Sequence, residues 1–383
     1  MNITFKRIVG VLFVSLLLFV HNVTAQTKGE TFHLGLGWNI GNQLDAYVNG
    51  VANETCWGNG KATQQTFDRL KQMGFESVRI PVTWLGHIGS APEYRIDEVW
   101  LGRVAELVEY AERAGLKAVI NIHHDGANSN HWLDVKGASR DESVNTRVKA
   151  QLRSMWTQIA EKFKRKGEFL VFESMNEIQD GKWGWGDNLT DGGRQYAVLN
   201  EWNQVFVDAV RALGGKNKRR YLGVPGYCTN IELTLKHFRM PTDKVKNRLL
   251  LSVHYYDPYL FTLENRMDEW GHETEKNMGR RTDEQHVDSM FHLLKTNYVD
   301  KGVPVYIGEF GCTRRKNDSD ERFRKYYLGY VCRKASENGL SMMYWDNGSR
   351  GRGRECSGII DHATGEYISN GEEIVRVMTE AYK

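Results

Sequence analysis

Two glutamates carry the chemistry that this sequence offers. The run Phe172-Glu173-Ser174-Met175-Asn176-Glu177 delivers an amide and a carboxylate side by side, and Val305-Tyr306-Ile307-Gly308-Glu309-Phe310-Gly311 delivers a second carboxylate far downstream. Each is a short β-prone apolar run that ends in glutamate and leads into helix-like sequence, the way a parallel α/β barrel presents catalytic groups at the C-terminal rim of its strands. Set about half a domain apart, Glu177 and Glu309 form a candidate carboxylate pair, and two such groups take different roles once their surroundings differ.

Positioning them requires a repeated unit. From Leu34 onward, strand-like runs alternate with longer amphipathic segments, and no low-complexity linker interrupts them. The strand candidates are His33 to Ile40, Ser77 to Pro81, Lys117 to Ile122, Leu170 to Ser174, Tyr221 to Val224, Leu249 to His254, Val305 to Glu309 and Ser341 to Trp345. Between them Thr63 to Met73, Val99 to Ala114, Val144 to Lys164, Asn200 to Leu213, Asp283 to Tyr298, Glu321 to Asn338 and Gly371 to Tyr382 read as helices, with apolar residues at three- and four-residue spacing. The fifth unit has the weakest helix signal. This alternation predicts a single-domain (β/α)8 TIM barrel over residues 26–383 with extended βα loops. Its mouth would gather Trp38 and Asn42, Arg79, His123 with His124 and Asp125, Asn176 and Glu177, His254 and Tyr256, Glu309, and Trp345. A hydrophobic core would not select that set.

The amino-terminal residues read as a targeting segment. Lys6 and Arg7 precede an uncharged apolar run from Ile8 to Val20, then Val23-Thr24-Ala25, so residues 1–25 are expected to be a signal peptide cleaved after Ala25. The run is shorter than the ~20 residues a membrane span needs, and no cysteine at the cut suggests a lipid anchor. The expected location is secreted or periplasmic, with no membrane attachment after cleavage. That segment holds two of the 51 basic residues and none of the 48 acidic ones, so the remainder is close to neutral, which argues against a nucleic-acid partner. Five cysteines, an odd number without metal-site spacing, read mostly as buried small apolar residues.

Arg79 in Val-Arg-Ile-Pro, His123 in Asn-Ile-His-His-Asp, Asn176-Glu177, His254-Tyr255-Tyr256, Glu309 in Ile-Gly-Glu-Phe-Gly and Trp345 together resemble glycoside hydrolase family 5. The resemblance spans nearly the whole mature chain. Gly37-Trp38-Asn39-Ile40-Gly41-Asn42 and Trp57-Gly58-Asn59 look most like its subfamily 4, which holds endoglucanases, xyloglucan-cleaving enzymes and lichenases. It implies Glu177 as general acid/base, Glu309 as nucleophile, Asn176 on the sugar 2-hydroxyl, Arg79 and Tyr256 holding the nucleophile, His123 and His254 lining the cleavage site, and Trp345 as the sugar's floor. Ile178 departs from the proline that often follows the acid/base. Physical reasoning agrees: an oxocarbenium-like transition state needs an acid for the leaving oxygen and a carboxylate beneath the anomeric carbon, ~5 to 5.5 Å apart in a retaining enzyme. Arg79 and Tyr256 would favour the charged form of Glu309, while burial and a carboxylate neighbour would favour protonated Glu177.

The expected activity is therefore a retaining endo-β-1,4-glucanase on neutral β-linked polysaccharides such as cellulose, xyloglucan or mixed-linkage glucan, acting as a monomer without cofactor or metal. Mannan or xylan cleavage on the same scaffold, and a glycan-binding barrel that does not cut, are the alternatives. His123-His124-Asp125 could suggest a metal cluster, but adjacent strand residues face opposite ways and no second cluster completes it; His124 reads as a distal-subsite or supporting residue. Of the loop tryptophans, Trp57 and Trp132 are the expected sugar platforms, Trp183 and Trp185 fall in a lid-like loop, and Trp270 has no assigned role.

Overall fold

The structure, a computed structural model, describes residues 32–183 and 191–383. The expected signal segment and Trp185 lie outside the described residues. Eight parallel strands close into a barrel: β1 Leu36–Ile40, β2 Ser77–Ile80, β3 Lys117–Ile120, β4 Leu170–Glu173, β5 Leu222–Pro225, β6 Leu249–Tyr255, β7 Val305–Phe310 and β8 Ser341–Asp346. β1 closes the ring by pairing β2 on one side and β8 on the other. The (β/α)8 expectation holds.

The helices that follow are α1 Gln64–Gln72, α2 Glu98–Ala114, α3 Glu142–Lys162, α4 Arg194–Ala212, α5 Ile231–His237, α6 Thr282–Asn297, α7 Glu321–Glu337 and α8 Gly371–Ala381. Helix α2 shows how sequence fixes them. Asp97 caps its start by accepting from Trp100 N, Gly115 ends it in the left-handed region at φ 71°, and Trp100, Val104, Leu107, Val108 and Ala111 are buried on one face. The weak fifth unit is a two-turn helix, too short to show a clear period. A small hairpin, Tyr47–Val48 with Val51–Ala52, stands in the loop after β1.

Alternation along the strands separates two layers inside the ring. At the lower level Leu34, Val119, Val171, Leu250, Tyr306 and Met343 form a dry plug, distinct from the larger core between strands and helices. One step nearer the strand ends, the inward positions turn polar: Asn39, Arg79, Asn121, Glu173 and Ser252 are all buried. β7 would break this pattern, because strict alternation from inward Tyr306 points Glu309 outward. A bulge prevents that. Val253 pairs with Ile307 but His254 with Glu309, and on the other side Met342 pairs with Ile307 but Tyr344 with Phe310, so β7 carries one residue more than either neighbour. The extra residue is Gly308, whose carbonyl accepts from Asn39 Nδ2 at 2.8 Å and whose missing Cβ would meet Ser252 and His254 at 3.2 Å.

Candidate active site

Arg79 is the hub of the mouth. Its Nη1 donates to Glu309 Oε1 at 2.7 Å and to Asn39 Oδ1 at 3.0 Å, Nη2 to Asn176 Oδ1 at 2.7 Å, and Nε to Glu173 Oε2 at 2.8 Å. Burial opposes its charge, but the flanking carboxylates Glu173 and Glu309 outweigh that and hold the guanidinium protonated. Glu309 also receives Tyr256 OH at 3.1 Å on Oε2.

Glu177 stands beyond the end of β4 with less support. His254 Nδ1 lies 2.7 Å from its Oε1, a hydrogen bond either partner can donate. One oxygen of Glu177, one of Glu309 and a ring nitrogen of His254 all lie within 4.8 Å of one another. Burial pushes the Glu177 carboxyl up to about 7, against the more distant charge of Arg79. Glu309 differs from expectation: Arg79 and His254 do favour its anion, but burial is the larger effect and its pKa is raised as well. The two carboxyls still differ in kind, since only Glu309 touches the buried cation.

His123 is neutral for a geometric reason. Its Nδ1 faces Asn121 Nδ2 at 3.1 Å and its Nε2 faces Asn176 Nδ2 at 3.3 Å. Both amides are pinned, because Asn121 Oδ1 accepts from Val82 N and Asn176 Oδ1 from Arg79. A charged imidazole would present N–H to two donors, whereas the neutral ring presents one, and its Nε2 also lies 3.8 Å from Glu309 Oε1. Burial accordingly drives its pKa well below the ordinary value, and that of His254 down to about 4.

Trp345 lies parallel to His123 at 5.8 Å, and a Cβ on Gly41 would strike its ring at 2.8 Å, so the glycine makes room for the indole. Farther along, Trp57 is 40% exposed and packs with Tyr47 and His124, while its Nε1 donates to Tyr47 O at 3.0 Å. Asn42, in the left-handed region at φ 55°, lines a cavity of about 470 Å³ with Trp57 and Asn347 between the loops after β1 and β8. Trp345, Trp57 and Asn42 thus lie on the strand-end side of the barrel, as their places in the sequence imply.

Other residues take positions that the sequence did not specify. Trp132 donates its indole N–H to Asp125 Oδ1 at 2.7 Å and packs on the core while remaining partly exposed, so it is tied to its own loop. Trp270 is buried among Tyr326, Tyr327 and Tyr330, pinning the loop after β6. His124 does not face away from His123: β3 ends at Ile120, and the two rings meet edge to face at 4.4 Å. Asp125 is turned elsewhere, accepting from Trp84 N and Trp132, and burial raises it to about 7. His124 Nδ1 contacts the Asp45 carbonyl, and the Asp45 carboxylate accepts from Asn42 N and Gln43 N. Trp183 is 52% exposed in the loop after β4. Ile178, at the position where the family often has proline, uses its N–H to donate to Asn176 O, its carbonyl accepts from Cys228 N, and its side chain is buried. Cys228, Cys312 and Cys332 are buried, and all five cysteines are free.

Glu173, Asn39 and Asn121 escaped the reading of strand ends. Their signal was parity: Glu173 shares the inward phase of Val171 within an apolar strand, an expensive place for an anion without partners.

Two carboxyl groups this close, only one of them seated on a buried guanidinium, are the kind of pair that glycoside hydrolases use. A closed parallel barrel with this pair at its C-terminal mouth assigns the chain to that class. The family model described as Cellulase (glycosyl hydrolase family 5) matches residues 43–351, and the chain belongs to this family. Endoglucanase A of Paenibacillus barcinonensis is 38% identical over 341 residues, covering 84% of this chain and 82% of that protein. Among solved structures, a GH5-4 broad specificity endoglucanase from Bacteroides salanitronis is 59% identical with a TM-score of 0.88, over 91% of this chain and 93% of its own. A family 5 xyloglucanase from Paenibacillus pabuli, in complex with ligand, is 36% identical with a TM-score of 0.82, over 92% and 99%.

Proposed function

We propose that this glycoside hydrolase is a secreted, retaining endo-β-1,4-glucanase that cuts inside neutral β-glucans. The observation that carries the mechanism is the placement of Glu177 and Glu309 oxygens within 4.8 Å. Inverting enzymes hold the two carboxyls ~6.5–9.5 Å apart to admit a water, and retaining enzymes ~5–5.5 Å apart for direct attack. Glu177, pushed up to about 7, carries the proton for the leaving oxygen. Glu309 attacks the anomeric carbon from its seat on Arg79 and Tyr256, and Glu177 then takes a proton from the water that releases the glycosyl group. Asn176, oriented by Arg79, meets the 2-hydroxyl; His123 and His254 line the site as neutral rings; Trp345 floors the reacting sugar. Trp57 and the cavity at Asn42 extend the glycan track on one side.

The relatives named as endoglucanases and as a xyloglucanase support a backbone of β-1,4-linked glucose, with tolerance of branches as the open dimension. Export by residues 1–25 rests on the charge and apolar pattern of that segment. Proton NMR of the first product, read before mutarotation, tests the mechanism: the β-anomer is expected, and an α-anomer would refute it. Product sizing on cellulose, xyloglucan, mixed-linkage glucan, mannan and xylan tests the substrate, with internal cuts in glucans expected and dominant mannan or xylan cleavage overturning the assignment.

A further inference from the structure

Beneath the two catalytic glutamates lies a third that the double-displacement scheme does not use. Glu173 is fully buried, yet each oxygen is doubly matched. Oε1 accepts from Ser252 Oγ at 2.6 Å and Tyr306 OH at 2.8 Å; Oε2 accepts from Arg79 Nε at 2.8 Å and Asn121 Nδ2 at 2.9 Å. A single packing contact would not need four donors drawn from three strands and the residue just past a fourth.

We propose that Glu173 is a positioning residue that sets both the direction and the strength of Arg79. The guanidinium is a rigid planar fork, so fixing Nε from below fixes where both Nη groups aim, toward Glu309 and Asn176. Through Asn121 the same carboxylate fixes the amide that faces His123. Its charge matters separately. One buried cation facing one carboxylate would stabilise Glu309 as an anion and blunt it as a nucleophile. Two carboxylates sharing Arg79 leave Glu309 anchored but reactive.

The groups that face Glu173 are Arg79 from β2, Asn121 beyond β3, Ser252 and His254 from β6, and Tyr306 from β7. Burial pushes its carboxyl up, but Arg79, Ser252, His254 and Tyr306 together hold it below the usual range. It therefore stays ionised while Glu177 and Glu309 titrate above it.

Glu173→Gln isolates the charge. With its carbonyl toward Arg79 and Asn121 and its amide toward Ser252 and Tyr306, whose oxygens can accept, all four heavy-atom contacts are kept, the Ser252 and Tyr306 hydroxyl protons turning away from the amide. Removing the anion lets the remaining carboxyls ionise sooner, so both limbs of the kcat/KM profile should move to lower pH, by ~1 unit. Turnover should fall ~10-fold with KM little changed, because the loss is at the reacting centre. Limbs that superimpose on the wild-type profile would overturn the inference, whatever the loss of activity, since a packing role moves no limb. If the variant does not fold, carboxyl 13C NMR titration of the wild type replaces it: Glu173 must remain ionised throughout the pH range of activity, and protonation within that range overturns the inference. The inference rests on the retaining mechanism proposed above. An α-anomer from the wild-type enzyme sinks that mechanism, whereas unshifted limbs in Glu173→Gln sink only the role of Glu173.

Discussion

The two sides of the mouth are built differently. Around Arg79, donors and acceptors are matched on four strands, and Asn39, Glu173, Asn176 and Glu309 are each held at 3.0 Å or closer. Around Glu177 the described side-chain hydrogen-bond partners are fewer: His254 at 2.7 Å and the hydroxyl of Thr229, on a side chain that is 21% exposed, with a facing turn in which Cys228 and Thr229 take φ of 52° and 49°. Such backbone stretches are sparsely populated for these residues and cluster at functional sites. The difference matches the roles proposed for the two glutamates. A nucleophile has to be in one place, and its electrostatics can be arranged in advance. A residue that gives a proton and then takes one must keep both forms within reach, which dense hydrogen bonding would prevent.

Breaking the fixed side has the largest expected effect. Glu309→Gln keeps an acceptor for Arg79 but cannot form the glycosyl intermediate, so turnover should fall by at least about 10⁴-fold while oligosaccharide binding persists. Azide should not restore it. Steady-state kinetics and calorimetric binding check this, and substantial residual activity would mean the roles are misassigned.

Breaking the open side should be milder and substrate-dependent. Glu177→Ala should lose ~10²–10⁴-fold on polysaccharide, much less on an activated aryl glycoside whose leaving group needs no proton, and azide should rescue it. In the wild type, activity should decline as pH rises through about 7, where burial places the Glu177 proton. The variant assayed on the aryl glycoside should lack that decline in its glycosylation step.

The smallest effects sharpen the comparison along the glycan. Trp345→Ala removes the floor of the distorted sugar, where an aromatic face contributes up to ~1.5 kcal/mol beyond burial, so kcat should drop roughly tenfold with oligosaccharide affinity less affected. Trp57→Ala, remote from the reacting centre, should raise KM a few-fold and leave kcat nearly unchanged.

Most of this site was legible because barrel strands end where chemistry begins. Glu177, Glu309, Arg79, His123, His254, Tyr256 and Trp345 all come to the mouth from apolar runs whose ends the sequence marks. What escaped lies one layer deeper or in the loops. Glu173 was hidden by sitting inside a strand, where only its phase with Val171 distinguishes it. Trp132, through its N–H on Asp125, and Trp270, through its packing among three tyrosines, show that a tryptophan in a loop is as ready to anchor that loop as to meet a sugar, and the sequence holds no sign of which neighbours it will find. The raised pKa of Glu309 was missed because a cation can be read from a motif, whereas the depth at which the pair sits cannot.

The bulge in β7 carries a last consequence. A barrel strand reads out its residues in a two-state code, in or out, and Gly308 is a one-letter insertion that shifts the frame for Glu309 without disturbing Tyr306 below it. The proposed nucleophile is thus specified as much by a count as by a residue type. Deleting Gly308 would leave every catalytic side chain in the chain and yet turn Glu309 toward the helices, leaving a mouth with its proton donor, its cation and its sugar floor but nothing to attack with.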